Sequence, residues 1–350
     1  MKFSVCIPNF NYEKFLGRTI QSVLDQTHGD FEILVSDNAS TDGSVGVVKA
    51  LADSRIKLRV NACNVGFAGN LDRAARMATG DVMILLSSDD MMRPAALATY
   101  NALYEALPVA DRARTIVCSS CDVIDAADQR TDGLRFEPEL FSEEDRIHGI
   151  KLPTYAAVYR VEGEELLRRC LRTMRNPFNF LATAYPRAVY ERLEGYGGNR
   201  LVNPDKWFNW RMLGAGTVAY FIDEPLFAYR WHSTNQNAQE SASGALKYLS
   251  DEYTSTFEID KGVLERIGMT RSEVEEAFVE RDIARHGLNL LAQGNRVKAA
   301  RVRDFGAATY PQHARRNPRY WALSALLATG PVGAAAARAA LRLKRGEKRK

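Results

Sequence analysis

The chain has 350 residues, of which 46% are hydrophobic and 26% are charged, and its mean hydropathy is −0.29. This balance excludes a disordered chain, a collagen-like chain and a polytopic membrane protein, and the length suffices for one large domain or two. The formal net charge is +4, yet residues 338–350 hold seven basic residues and one acidic residue. The positive charge is therefore concentrated in a tail, which argues against a broad nucleic-acid-binding surface.

Short apolar runs alternate with helical patterns in the first half, an order typical of a parallel sheet with crossover helices. The predicted strands are Phe3–Ile7, Phe31–Val35, Ile56–Val60, Val82–Leu86 and Thr115–Ser119. Between the first two strands, Leu16, Ile20 and Val23 recur at helical spacing. Ser40-Thr41-Asp42 predicts the N-cap of a helix that runs to about Ala52, and Pro94 predicts a first-turn residue of another helix.

The second half is less regular at first and then entirely helical in pattern. Residues 131–154 are polar and predict an excursion over the sheet. The next predicted elements are helices at Glu162–Met174, Pro186–Leu193 and Trp207–Leu213 and strands at Val218–Ile222 and Leu226–Trp231. From about Ala245 onward only helical patterns remain. We therefore expect an α/β domain over residues 1–240 and a helical region over residues 241–350.

Five cysteines are present, at positions 6, 63, 118, 121 and 170. Their odd number, and a strand-like run that begins at the amino terminus, predict a reducing cytoplasm with the thiols as small buried side chains. Cys118 and Cys121 form a single CxxC pair at the end of an apolar run. One such pair cannot complete a four-ligand zinc site, so structural cysteines are expected.

Polar side chains follow four of the predicted strands at their carboxyl ends. Ligands of open parallel α/β sheets bind at this edge, where loops and helix N-termini converge. The residues are Pro8, Asn9 and Asn11 after the first strand, Asp37 and Asn38 after the second, Asn64 and Gly66 after the third, and Asp89 and Asp90 after the fourth. The pattern predicts a polar ligand site at this edge.

Asp89 and Asp90 directly follow an apolar strand. Neighbouring unpaired carboxylates repel each other and resist desolvation, and a divalent cation resolves both conflicts. Hard oxygen ligands suit Mg²⁺ or Mn²⁺, and so few carboxylates imply that phosphate oxygens and water complete the coordination. The alternative is that Asp89 caps the helix predicted near Pro94.

Seven segments together form a pattern in both order and spacing. They are Ser4-Val-Cys-Ile-Pro-Asn-Phe-Asn11, Val35-Ser-Asp-Asn-Ala-Ser-Thr-Asp42, Asn64-Val-Gly66, Gly80-Asp81, Leu86-Ser-Ser-Asp-Asp90, Asp205-Lys-Trp-Phe-Asn-Trp-Arg211 and Ile222-Asp-Glu-Pro-Leu-Phe-Ala-Tyr-Arg-Trp-His232. This set resembles the family 2 inverting glycosyltransferases of the GT-A fold over roughly residues 1–235. The resemblance implies an α/β architecture, a GT-A type nucleotide-sugar-binding mixed sheet flanked by helices, with a helical region after it.

The resemblance also implies roles for individual residues. The expected nucleotide-sugar-binding residues are Pro8, Asn9, Asn11, Asp37, Asn64 and Asp89. Asp90 is the expected direct metal ligand, with Asp89 beside it and His232 as a further metal or diphosphate contact. Asp205 is the expected general base. The structural alternatives are a turn residue for Asp37, a satisfied structural histidine for His232 and a helix cap for Asp205.

The region after residue 175 is where the family places acceptor-facing loops. The expected residues here are Asn176-Pro-Phe-Asn-Phe-Leu181 and Arg187. The aromatic rings of Phe178 and Phe180 can stack on a sugar, and the alternative is ordinary core packing.

Two positions depart from the family pattern. Ser87 stands where an aspartate is common, which leaves the diphosphate and metal site one carboxylate poorer. Pro204 precedes Asp205 where glutamate is usual, which puts the alignment of that loop in question. Neither change removes the expected catalytic carboxylate.

The implied function is metal-dependent, inverting transfer of a sugar from a nucleotide-diphosphate sugar to a hydroxyl of a glycan or lipid-linked acceptor, with Mn²⁺ or Mg²⁺ as cofactor. Surface-polysaccharide or cell-envelope biosynthesis is the expected context. A nucleotidyltransferase is one alternative, but it would carry a Gly-rich basic loop where this chain has Pro8-Asn-Phe-Asn-Tyr12. A non-catalytic nucleotide-sugar-binding protein is the other, motivated by Ser87 and Pro204.

The carboxyl-terminal stretch Trp321–Ala337 spans about 17 residues and is interrupted by Gly330-Pro331, too short a run for a transmembrane helix. An amphipathic surface helix followed by the basic tail predicts association with an anionic membrane surface, and a solvated tail is the alternative. The expected location is the cytoplasm, peripheral at the inner face of the cytoplasmic membrane. No nucleic-acid partner is expected.

Overall fold

The computed structural model describes residues 1–134, 137–197, 201, 203–232, 235 and 245–347, without the side chains of 134, 245–248, 341 and 343–347. The chain divides into two compact units. The first unit comprises Met1–Arg169 and Asn176–Ser233, and the second comprises Cys170–Arg175 and Thr234–Lys350.

The first unit is built on a mixed sheet of 11 strands. The strands are β1 Phe3–Asn9, β2 Phe31–Asp37, β3 Ile56–Val60, β4 Val82–Leu85, β5 Met91–Met92, β6 Thr115–Ile124, β7 Arg130–Leu134, β8 Arg146–Ile147, β9 Val158–Glu162, β10 Thr183–Pro186 and β11 Val218–Arg230. The helices are α1 Glu13–Leu24, α2 Ser44–Ala50, α3 Phe67–Ala75, α4 Ala96–Ala106, α5 Val109–Arg112, α6 Gly163–Thr173, which continues into the second unit, α7 Arg187–Arg192 and α8 Asp205–Gly214. Single 3-10 turns lie at Glu143–Asp145 and Phe180–Ala182.

The order of the main sheet is β3-β2-β1-β4-β10-β6-β11-β9-β8, with β5 paired to β11 and β7 paired to β6. Strands β1, β2, β3 and β4 run parallel to one another, and antiparallel β10 connects β4 to β6. Strands β6 and β11 are parallel to each other and therefore to β1. The carboxyl ends of these parallel strands meet at one edge, where Asn9 lies opposite Asp37.

Burial explains why these runs form strands. Every residue of β1, β2 and β4 is buried, as expected of central parallel strands covered on both faces. Helix α1 has Leu16, Ile20 and Val23 fully buried, which confirms the predicted helical face. The fold predicted from the sequence is thus confirmed for the part of the sheet that carries the parallel strands.

Several predicted elements differ from the structure. The helix expected after Ser40 begins at Ser44, with Gly43 as its N-cap, because the Ser40 hydroxyl bonds to the Asp37 carboxylate instead. Helix α4 begins at Ala96, so Pro94 precedes the helix and is not in its first turn. The irregular excursion at 131–154 contains most of β7 and all of β8.

The two strands expected on either side of Asp223 and Glu224 form one long strand, β11. Its pairing with β6 continues from Val218 to Arg230, with register shifts on both sides of Pro225. Proline donates no hydrogen bond to the ladder, so a local irregularity accommodates it without ending the strand. This continuity brings Arg230 to the same edge as Asn9 and Asp37.

The cysteines are free thiols. Cys6, Cys118, Cys121 and Cys170 are buried, as expected, and burial raises the pKa of the Cys118 thiol to about 11. Cys63 is exposed, which corrects the expectation that all five would be buried. Its position in the loop after β3 gives it no core to enter.

The second unit is helical. Its helices are α9 Ala245–Phe257, α10 Lys261–Arg266, α11 Arg271–Phe278, a π-helix at Val279–Arg285, α12 His286–Ala292, α13 Arg296–Thr309, α14 Pro311–Arg316, α15 Pro318–Ala328 and α16 Pro331–Glu347. Leu291, Leu323, Leu327 and Ala337 pack together in a small core. Among the described residues, no helix is sufficiently long and apolar to cross a membrane.

Glu32 stabilises the amino edge of the sheet. It is 3% exposed, and its carboxylate accepts hydrogen bonds from the Ser4 hydroxyl at 2.7 Å, the Thr79 amide at 2.7 Å and the Lys57 ammonium at 2.7 Å. Burial alone raises the pKa of Glu32, but these donors outweigh burial and lower the pKa from 4.5 to about 2. The ionised carboxylate therefore stabilises the folded state.

Replacing Glu32 with glutamine should lower the free energy of unfolding at pH 7 by roughly 3–3.5 kcal/mol, the value that corresponds to this pKa difference. Because the folded pKa is depressed, the contribution is present above about pH 4.5 and is lost as the pH falls towards 2. Urea unfolding of both proteins at pH 7 and pH 3 should show a difference that shrinks at pH 3. Replacement of the exposed Glu144 with glutamine is the control and should change the free energy of unfolding by less than about 0.5 kcal/mol. An equal loss of stability in the Glu32 variant at both pH values would contradict the link between ionisation of Glu32 and folding.

Candidate active site

The predicted site residues from the first two strands lie together. Asn9 and Asp37 are the last residues of β1 and β2, and both are almost fully buried. The Asn9 amide donates to the Asp37 carboxylate at 2.8 Å, and Ser40 donates to the same carboxylate from its amide at 2.9 Å and its hydroxyl at 2.7 Å. Asp37 thus closes a turn with Ser40, which is its structural alternative, and lies beside Asn9 at the carboxyl edge of the sheet.

Asn11 and Asn64 complete this side of the edge. Asn11 adopts a left-handed conformation with a φ of 58°, which asparagine tolerates better than most residues. Its backbone N–H donates to the Ser40 hydroxyl at 2.9 Å. Asn64 accepts a hydrogen bond from the Asn38 side chain at 2.9 Å and from the Gly66 amide at 2.8 Å. The loops after three neighbouring strands are therefore joined by short polar side chains.

An asparagine network that was not predicted from the sequence lies beneath these loops. Asn61 and Asn70 are buried and hydrogen-bonded to each other at 2.9 Å. Asn70 also donates to the Ser36 carbonyl at 3.0 Å, and Asn61 donates to Asn38 at 3.2 Å. Only the burial of these amides distinguishes them from ordinary surface asparagines, and burial is not visible in sequence.

Pro8 connects this pocket to the acidic loop, Ser87–Asp90. The carbonyl of Pro8 accepts a hydrogen bond from the Ser88 hydroxyl at 3.0 Å. The carbonyl of Ser88 in turn accepts one from the Thr19 hydroxyl of α1 at 2.9 Å. The backbone of the acidic loop is thereby fixed against both β1 and α1.

Asp89 and Asp90 are buried side by side, with exposures of 5% and 1%. The Asp89 carboxylate lies 3.0 Å from Nε2 of His232, and Asp90 Oδ1 accepts a hydrogen bond from the Arg230 amide at 2.8 Å. Asp90 Oδ2 is buried and has no hydrogen-bond partner among the described residues. Asp89 does not cap α4, since the N-cap of that helix is Ala95.

The negative charge of this loop affects the titration of its neighbours. Burial, and then the adjacent Asp89 carboxylate, raise the pKa of Asp90 well above its ordinary value, against the opposing hydrogen bonds from the Arg230 amide and the Ser87 side chain. Burial and the charges of Asp89 and Asp90 also raise the pKa of the Tyr12 hydroxyl. A bound cation would relieve the conflict between these two carboxylates.

Arg230 secures the acidic loop and was not assigned a role from sequence. Its guanidinium is fully buried, donates to the Asp89 carbonyl at 2.6 Å and to the Asp125 carbonyl at 2.9 Å, and forms an ion pair with Asp128. It also lies over the Phe15 ring at 5.0 Å. Arg230 lies in the family-like segment Ala228-Tyr-Arg-Trp-His232, from which only His232 was given a predicted role.

His232 is held by aromatic neighbours as well as by Asp89. Its ring lies 4.7 Å from Phe15 and 5.9 Å from Tyr12, measured between ring centroids. Among the described residues, no group of three or more histidine, cysteine, aspartate or glutamate side chains could hold a metal ion by itself. The structure places His232 beside Asp89, and its expected contact with a metal or a diphosphate stays a prediction.

Asp205 is the first residue of α8 and belongs to a second group of contacts. Pro204 is the N-cap of this helix and no side chain caps it, so Asp205 is not the helix cap that the alternative proposed. The Asn176 amide donates to Asp205 Oδ2 at 2.8 Å. The carboxylate is half-buried and is held by a neutral donor.

The residues expected to face the acceptor differ in burial and in their position on the sheet. Phe178 is buried, consistent with core packing, whereas Phe180 is half-buried with its ring 6.5 Å from that of Phe67. Arg187 lies at the opposite edge of the sheet, where it donates to the Gly80 carbonyl at 3.1 Å and pairs with Glu191. Its expected acceptor role is wrong, because β10 runs antiparallel and ends at the amino edge of β4.

Comparison with known proteins finds glycosyltransferases among the relatives of this chain. The family described as glycosyl transferase family 2 matches residues 4–171. An uncharacterized glycosyltransferase, alr2836 of Nostoc sp., is 29% identical over 295 residues, which cover 78% of this chain and 80% of that protein. The UDP-Glc:alpha-D-GlcNAc-diphosphoundecaprenol beta-1,3-glucosyltransferase WfgD of Escherichia coli is 39% identical over 88 residues, 25% of this chain and 35% of that protein.

Solved structures share the fold at low sequence identity. Residues 1–349 of S. aureus TarS in complex with UDP-GlcNAc superpose with a TM-score of 0.65 at 15% identity, over 98% of this chain and 92% of that one. The mannosyltransferase PcManGT from Pyrobaculum calidifontis, in complex with GDP-Man and Mn²⁺, gives a TM-score of 0.50 at 17% identity, over 96% of this chain and 86% of that one. Residues 4–171 belong to the family 2 glycosyltransferases, and the chain has the GT-A fold.

Proposed function

We propose that this glycosyltransferase moves a sugar from a nucleoside-diphosphate sugar to a hydroxyl of a glycan or lipid-linked acceptor, with inversion at the anomeric carbon. The observation that carries the proposal is a pair of buried oxygens at one sheet edge, Asn9 Oδ1 and Asp90 Oδ2, which lack hydrogen-bond partners among the described residues. Buried acceptors of this kind favour a site completed by a polar ligand. The UDP-GlcNAc in the TarS structure is a ligand of the proposed class.

The two sides of the edge suit the two halves of such a donor. In this proposal Pro8, Asn9, Asn11, Asp37 and Asn64 bind the nucleoside. The acidic loop receives the diphosphate, with Asp89 near the ribose. The buried asparagine network beneath the pocket keeps these groups fixed before the donor arrives.

A divalent cation fits the acidic loop. The residues that would hold Mg²⁺ or Mn²⁺ are Asp90 directly, Asp89 beside it, and His232 at the metal or the diphosphate. The orphaned Asp90 oxygen and the hard character of carboxylate donors support this assignment. The Mn²⁺ named with the mannosyltransferase neighbour also supports it. When bound, the cation supplies charge neutralisation for the departing diphosphate.

Asp205 acts as the general base in this proposal. The acceptor oxygen attacks the anomeric carbon while Asp205 takes the hydroxyl proton, and the bond between that carbon and the diphosphate oxygen breaks. The diphosphate leaves with the bonding electron pair. One displacement, with no covalent sugar–enzyme intermediate, inverts the anomeric configuration, which agrees with the family's inverting character.

The acceptor class and the location of the enzyme are proposed together. The name of WfgD states a diphosphoundecaprenol acceptor, although that match spans only about a third of the relative's length. We propose a lipid-linked acceptor in surface-polysaccharide or cell-envelope biosynthesis, with the enzyme in the cytoplasm and peripheral at the inner face of the membrane. Residues 1–240 would form the catalytic domain and residues 241–350 the helical region with its basic tail.

Asp90→Asn should reduce release of nucleoside diphosphate from the preferred donor by at least about 100-fold, because the leaving group loses its electrostatic stabilisation. Its melting temperature should no longer rise when Mn²⁺ and UDP are added together. The measurement is turnover of UDP-glucose, UDP-N-acetylglucosamine and GDP-mannose, alongside thermal melting. Asp81→Asn is the matched control, since Asp81 directly precedes β4 whereas Asp90 follows it. Full activity of the Asp90 variant in excess chelator would refute the metal role.

Asp205→Asn should lower kcat by about 100- to 10,000-fold while UDP binding is retained, because only proton removal from the acceptor is lost. Titration with UDP and Mn²⁺ and steady-state kinetics separate the two effects. Asp111→Asn changes a carboxylate in the first turn of another helix, α5, and should leave kcat within about twofold. Normal kcat for the Asp205 variant would assign the base elsewhere.

Neutralising the basic tail should weaken binding to anionic vesicles. The variant replaces Lys344, Arg345, Lys348, Arg349 and Lys350 with glutamine, and the control replaces exposed Lys14, Lys49, Arg59, Lys151 and Arg172. Each basic residue near the surface contributes on the order of 1 kcal/mol, so sedimentation with phosphatidylglycerol vesicles should fall only for the tail variant. Raising the salt concentration should have the same effect, and equal binding by both variants would favour a solvated tail.

A further inference from the structure

Two asparagines lie behind the carboxylate of Asp205. The Asn176 side-chain amide donates to Asp205 Oδ2 at 2.8 Å, and the Asn209 amide donates to Asn176 Oδ1 at 2.8 Å. Asn209 is 5% exposed and lies one turn along α8 from Asp205, whereas Asn176 comes from the segment after α6. The three side chains form a hydrogen-bonded series from the buried Asn209 through Asn176 to Asp205, the proposed base.

The direction of these bonds follows from the chemistry of the carboxylate. An ionised aspartate only accepts hydrogen bonds, so Asn176 must turn its NH₂ group towards Asp205 and its oxygen away. That oxygen then requires a donor, which Asn209 supplies. The buried amide of Asn209 therefore fixes the orientation of Asn176, and Asn176 fixes one oxygen of Asp205.

We propose that Asn176 is the positioning residue of the base and that Asn209 acts through it. This inference rests on the proposed role of Asp205 in proton removal. A neutral amide orients the carboxylate without pairing its charge, whereas an arginine or lysine in the same place would neutralise the group that has to accept a proton. The amide series thus fixes the geometry of the carboxylate without adding a positive charge of its own.

Position matters here because proton removal requires the base within hydrogen-bond reach of the acceptor hydroxyl as it attacks. Asp205 begins its helix directly after the N-cap Pro204. Asn176, from outside this helix, supplies a described contact to one oxygen of its carboxylate.

The first test is Asn176→Leu, which removes donation at nearly constant volume. We expect kcat for donor hydrolysis, with water as acceptor, to fall about 10- to 100-fold, the range for a lost hydrogen bond to a charged group. The donor KM and UDP binding should remain within about twofold. Asn101→Leu is the matched control, since its amide also donates to a carboxylate, that of Glu105, at 2.8 Å, and it should leave kcat unchanged.

Double variants distinguish positioning from general damage to the fold. If Asn176 acts only through Asp205, Asn176→Leu should cause no further loss in the Asp205→Asn background, and Asn209→Leu should cause no further loss in the Asn176→Leu background. Additive losses in either background would overturn the series. A rise in donor KM that accounts for the whole effect would also overturn it.

The proposed function and this inference fail differently. If Asp205→Asn retains normal kcat, the base is misassigned and the proposed function is at fault. If Asp205→Asn is inactive while Asn176→Leu matches the wild type, only the positioning role is wrong. A crystal structure of Asn176→Leu gives an answer independent of activity: the Asp205 carboxylate should leave its present position, and an unmoved carboxylate would refute the inference.

Discussion

The structure depends on burying two adjacent carboxylates at the edge of an apolar sheet. Asp89 and Asp90 are nearly inaccessible, and burial together with mutual repulsion raises the pKa of Asp90. The protein offsets part of this cost with Arg230, the last residue of β11, and with His232, two residues beyond it. The Arg230 amide binds Asp90, the Arg230 guanidinium binds the Asp89 carbonyl, and His232 binds the Asp89 carboxylate. The negative charge that these contacts do not offset favours the binding of a positively charged ligand.

The parallel strands and the polar residues that follow them were predictable because both are local signals. The run Val82–Leu85 is continuously apolar, and Asp89 follows it within four residues. Strand β10, in contrast, is four residues long and ends in proline, so nothing local marks it as the connection between β4 and β6. Its burial between those strands, a long-range property, makes it a strand.

The same division applies to the site. Paired acids after an apolar strand led to the prediction of Asp89 and Asp90, and the family resemblance added His232. Arg230 was not predicted, because its contacts with the acidic loop use its backbone amide and the carbonyl of a distant residue. Asn176 was assigned to an acceptor-facing segment, whereas its described contacts are with Asp205 and Asn209. Side chains that act on other side chains leave no periodic or compositional trace, and only the folded chain shows them.

The bonds that hold the acidic loop join residues separated by 140 and 143 positions along the chain. During translation, both aspartates are therefore synthesised long before Arg230 and His232, the residues that bind them. Until β11 emerges and pairs with β6, the nascent protein carries an uncompensated pair of acids at an unfinished edge. The acidic loop therefore acquires these contacts only late in synthesis.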